Sequence, residues 1–160
     1  MTMPQPNKPF YRGQIKYGHR ASLESGLKNG IITPQDQHLI LEYIGERTVT
    51  KDLSISRVNK IVTHLVGWRR FLPVQFSDAS IAEIYTAVTS LKNGTSLKGK
   101  PFSQNTVHDY IRILKPFLRW MNEEGYNDLN LTKIKRIQAP PVDQETKSPE
   151  DILTAREIEQ

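Results

Sequence analysis

The sequence predicts an all-α protein: an orthogonal bundle of four main helices with short flanking helices. Apolar residues recur at helical spacing along most of the 160-residue chain. Each of the four main runs is preceded by a capping hydroxyl, and several stop at Gly or Pro. Alternation of the kind a half-buried strand needs is nowhere sustained.

The elements follow in order. Residues 1–18 hold three prolines and two glycines without helical period, and read as a flexible basic arm carrying Lys8, Arg12 and Lys16. A short helix is expected from Ala21 to Lys28, stopped by Asn29-Gly30. Thr33-Pro34 starts the next, a capping hydroxyl with proline at the first helical position, and Leu39, Ile40, Tyr43 and Ile44 form its buried face. Ser54 caps a helix expected to reach Leu72 before Pro73, with Ile55, Val58, Ile61, Val62, Leu65, Trp68 and Leu72 inward. Ser80 with Glu83 makes a capping box for Ile81 to Leu91. Ser103 caps the longest helix, which runs to Glu124 with Val107, Tyr110, Ile111, Leu114, Phe117, Leu118 and Met121 on one face. Pro116 lies inside it, where a kink costing about 3 kcal/mol before packing compensates is expected. Leu131 to Ile137 closes the helical domain, residues 19–137, and residues 138–152 read as a linker.

Composition narrows the function. The chain has no cysteine, which removes disulfides, thiolate metal sites and cysteine nucleophiles. Its four histidines lack metal-ligand spacing, so neither a metal nor another cofactor is expected. No apolar run approaches the roughly 18 residues of a membrane span, and Met1 to Phe10 does not resemble a secretory signal. The expected setting is the cytoplasm, with no membrane partner. Residues 139–160 carry a net charge of −4, so residues 1–138 carry +9, from 20 Lys/Arg against 11 Asp/Glu. That balance points to a polyanionic partner.

The longest helix supplies a place for one. At 100° per residue, His108, Arg112, Lys115 and Arg119 fall within about 60° of one another, with no acid among them. Gln104 and Asn105 extend that side. The stripe is about 16 Å long, roughly five base pairs, and a major groove admits one helix. Arg, Asn and Gln can read base edges, whereas Lys mostly holds phosphate. Arg57, Lys60 and His64 repeat the pattern on the Ser54-capped helix, and Lys133, Lys135 and Arg136 form a third basic group. A solvated helix face is the plainer reading of such a stripe, although solvated faces usually mix signs. Trp68 and Trp120 read as core rather than as base-stacking platforms.

The segment SQNTVHDYIRILKPFLRWMNEEGY resembles the last long helix of the SAM-like core-binding domain of tyrosine recombinases, the phage-type integrases. The resemblance rests on Ser103, Thr106, Lys115, Phe117 and Trp120. ISRVNKIVTHLVGWRRFL, with Trp68 and Phe71, is similar to an earlier helix of that domain, and DASIAEIYTAV to the intervening one. Leu153-Thr154 with Glu157 resembles the opening of the family's catalytic domain, so 153–160 reads as the start of a truncated one. Pro116 and Asn130-Leu131, where the family often has Asn-Pro, depart from the pattern. The resemblance implies a half-clamp on double-stranded DNA, nucleoid-associated, a monomer alone and alongside other recombinase subunits on DNA. The family's Arg, His-x-x-Arg and Tyr catalytic set lies downstream of such a linker, so no catalytic residue is assigned and no enzymatic activity is expected of the chain alone. A helical protein-interaction module and a stand-alone helical DNA-binding regulator remain the alternatives.

Overall fold

The computed structural model describes residues 18–96 and 98–142. The described residues form six α-helices and one 3-10 turn: α1 (His19–Lys28), α2 (Pro34–Lys51), α3 (Ile55–Trp68), the turn Phe76–Asp78, α4 (Ile81–Lys92), α5 (Gln104–Glu123) and α6 (Leu131–Lys135). Strands are absent among them, apart from one isolated bridge between Thr95 and Pro101. The protein is all-α. The expected arm, apart from Gly18, and the expected opening of a catalytic domain lie outside the described residues.

Local chemistry starts most helices where expected. The Thr33 hydroxyl accepts from the Asp36 amide at 3.0 Å and the Asp36 carboxylate accepts from the Thr33 amide at 3.0 Å, a capping box that pins the start of α2. Ser80 and Glu83 do the same for α4, and Ser54 and Ser103 cap α3 and α5. Two of a helix's four unpaired N-terminal donors are satisfied wherever the box is complete.

The departures lie at the start of α1 and at the ends of α3 and α6. α1 begins two residues before Ala21, because Asn59 of α3 accepts from the His19 amide at 2.9 Å. α3 stops at Trp68 rather than Leu72. Its last turn tightens, with the amides of Arg69, Arg70 and Phe71 donating three residues back. Two tertiary contacts hold that turn. The Trp68 indole donates to the Tyr110 carbonyl at 2.8 Å, and the Arg69 guanidinium donates to the Ile31 carbonyl at 2.6 Å while pairing with Asp36 at 3.2 Å. Ile55, expected inward, is 52% exposed: it is the first residue of α3 and overhangs the core edge that Val58 defines. α6 ends at Lys135, short of Ile137, where a side chain from α5 takes over the carbonyls.

One core joins these helices. All seven expected inward residues of α5 are buried, with Ile111, Phe117, Leu118 and Met121 fully so, and Trp68 and Trp120 are buried too. The Phe117 ring meets Tyr43 and Phe76 edge-on, each at 5.1 Å. α5 continues unbroken through Pro116. Full burial of Phe117, Leu118 and Leu114 contributes about 1.5–3 kcal/mol each, more than one lost helical bond and its crowding remove. Gly67 lets α3 and α5 approach: a Cβ there would meet the Tyr110 hydroxyl at 2.5 Å.

Candidate nucleic-acid interface

The structure divides the outer face of α5 into two sets. Gln104 donates to the Pro141 carbonyl at 2.6 Å, and His108 Nδ1 to the Pro140 carbonyl at 2.6 Å. A carbonyl only accepts, so this bond requires the tautomer with hydrogen on Nδ1. The Lys115 ammonium donates to the carbonyls of Lys135, at 3.0 Å, and Ile137, at 2.6 Å. It therefore stands at the C-terminal end of α6, where unpaired carbonyls and the helix dipole favour a cation. These three side chains hold the returning chain against the helix. Asn105, in the first turn of α5, is half-buried.

Arg112 and Arg119 form the other set. Both are exposed, and neither makes an ion pair among the described residues. Partial burial holds the Lys115 ammonium below its ordinary pKa, and Arg119, Arg112 and Lys135 push it the same way with no carboxylate opposing them. Four cations thus crowd one patch of α5 and α6. Lys133 and Arg136 are exposed on and just beyond α6.

On α3 the three expected residues have separate surroundings. Arg57 is exposed and unpaired among the described residues. Lys60 pairs with Asp109 of α5 at 3.1 Å, both side chains about two-fifths exposed. The α5 stripe itself is free of acids, but Asp109 lies beside it and reaches across to α3. His64 is half-buried: its Nδ1 donates to the Lys60 carbonyl at 2.7 Å and its ring lies 4.5 Å from that of Tyr110. Burial pushes the His64 imidazole below its ordinary pKa, with Lys60 and Arg57 adding to that and the Lys60 carbonyl and Asp109 opposing it. A ring so placed fills the α3–α5 seam.

Arg69 follows the basic side of α3 in sequence but belongs to the interior. Its side chain is only 9% exposed and serves the fully buried Asp36, whose carboxylate also accepts from the Phe76 amide at 2.9 Å. In the other direction, Arg47 and Lys51 of α2 were not singled out, although Arg47 packs over the Tyr43 ring at 5.4 Å on the side of the molecule where Arg119 stands. The i, i+4 spacing of Tyr43 and Arg47 was the available signal.

Among the described residues no helix is long and apolar enough to cross a membrane, and no group of three or more His, Asp or Glu side chains could hold a metal ion. Comparison with family models, with curated proteins and with solved structures returns no match.

Proposed function

We propose that this chain binds duplex DNA through the surface of α3, α5 and α6, as a half-clamp of the kind its resemblance to tyrosine recombinases implies, acting as a binding module rather than as a catalyst. The carrying observation is the grouping of Arg112, Arg119 and Lys135 around Lys115, whose ammonium no carboxylate offsets. Like charges held together on a folded surface repel, and a polyanion relieves that repulsion. Arg57, Lys133 and Arg136 widen the field. Phosphate contacts dominate such an interface, and Arg112 is the residue best placed to read a base edge. Gln104, His108 and Lys115 act mainly by fixing residues 135–141 beside the arginines.

Fluorescence anisotropy of labelled duplex DNA tests the reading, comparing the parent chain with Arg112→Ala/Arg119→Ala across a salt series. Lys115 is left in place because it supports α6. Neutralising about five phosphates gives a slope of log affinity against log salt near −4.5. The double variant should bind at least about tenfold more weakly, with the slope less steep by about 1.8. A parent slope near zero ends the proposal. Equal binding by both proteins removes α5 as the contact surface.

A further inference from the structure

A cleft of about 250 Å³ opens between α2 and α5, lined by Tyr43, Arg47 and Lys51 on one side and Pro116, Arg119 and Trp120 on the other. Arg47 Nε is buried and has no hydrogen-bond partner among the described residues. Leaving a buried charged donor unmade costs more than the bond itself is worth, so such a group is expected to meet an acceptor in the working state. The same guanidinium lies over the Tyr43 ring, 5.4 Å from its centroid, which limits the rotamers it can take. Glu46 and Glu123 also line the cleft, yet neither pairs with Arg47 or Arg119.

Charge of both signs reaches the Tyr43 side of the cleft, with the cations in the majority. Burial pushes the Tyr43 phenol above its ordinary pKa and Glu46 adds to that, while the guanidinium groups of Arg47, Arg57 and Arg119 oppose it, from α2, α3 and α5 respectively. The lining residues lie inside α2 and α5, where backbone N–H groups are taken up by intrahelical bonds, so the donors available to a guest are side-chain donors.

We infer that this cleft is an oxyanion seat in which Arg47, with Arg119 opposite, holds one phosphodiester of bound DNA, extending the interface onto α2. The inference rests on the DNA-binding reading and deepens it. An arginine fork matches two oxygens of one phosphate, and the cleft volume admits a phosphodiester with some of its hydration water. A free phosphate has the same chemistry, and the experiment separates the two sources.

Arg47→Gln and Arg47→Lys are compared with the parent in the same anisotropy salt series, with helicity and thermal midpoint confirming that each variant folds. The inference expects Arg47→Gln to weaken DNA binding about tenfold and to make the salt slope less steep by about 0.9, one phosphate contact. Arg47→Lys should keep the slope and recover part of the affinity, since the charge stays and the fork is lost. Parent-like affinity and slope in Arg47→Gln, alongside loss in Arg112→Ala/Arg119→Ala, overturn the seat and leave the DNA-binding reading standing. If the parent itself does not bind DNA, that reading fails. Inorganic phosphate titrated against Trp fluorescence then decides the seat alone. A saturable response abolished by Arg47→Gln makes it a site for free phosphate rather than for DNA, and no response removes it altogether.

Discussion

His64 shows how one side chain can satisfy a surface pattern and still belong to the interior. Its spacing from Arg57 and Lys60 puts it on a polar face of α3, but α5 packs Tyr110 against its ring and burial holds its pKa below the ordinary 6.5. The sign of the resulting pH dependence follows. Above about pH 6.5 the imidazole is neutral whether the chain is folded or not. Below it, the unfolded chain binds a proton that the folded chain resists, so the group's contribution to stability falls as pH falls. The urea midpoint of the parent should therefore drop more between pH 7.5 and 5.5 than that of His64→Gln. Identical drops would mean that the ring titrates freely. Lys60 shows the same limit of a single-helix reading, because its partner Asp109 comes from another element.

At the scale of elements, the starts of the four main helices were legible and so were the stops of α1, α4 and α5 to within a residue, but the ends of α3 and α6 were not. Thr33, Ser54, Ser80 and Ser103 cap where the sequence places them, because an N-cap is a contact between residues three apart. The ends of α3 and α6 depend on residues 38 to 42 and 20 to 22 positions away, in the bonds of Arg69 to Ile31, Trp68 to Tyr110 and Lys115 to Lys135 and Ile137. No local signal announces such partners. Lys115→Met tests this for α6: amide exchange across 131–141 should rise while α2–α5 stay protected. The cost should be about 1–3 kcal/mol or less, since the donor is charged but the site is open to solvent. Unchanged exchange at 131–141 would mean that the ammonium does not hold the helix end.

For the whole molecule, the buried Asp36 joins parts of the chain far apart in sequence. It caps α2, accepts from Phe76 before α4 and pairs with Arg69 after α3, while Arg69 reaches back to Ile31. Removing one partner leaves the other buried and uncompensated, so Asp36→Ala should cost about 3–5 kcal/mol in a urea melt. Loss below about 1 kcal/mol would show the pair to be dispensable. The basic surface is also a property of the whole. Arg112, Lys115 and Arg119 share a helix, but Lys135, Arg57 and Arg47 come to that side of the molecule only because α6, α3 and α2 pack around α5. The α5 stripe is legible in the sequence but its division is not, since the carbonyls that occupy Gln104, His108 and Lys115 belong to backbone that folds back from 20 to 37 residues away.

By itself, then, the sequence determined the helical class, the number and starts of the main helices, the inward face of α5 and the excess of positive charge. These depend on spacing within one helix, on caps three residues long and on composition, all local quantities. Only the tertiary structure decided that α3 stops at Trp68, that Arg69 is an interior residue, that His64 fills a seam, and which cations stand together in the open. Those outcomes depend on desolvation and on partners distant in sequence, and both exist only after the helices have packed.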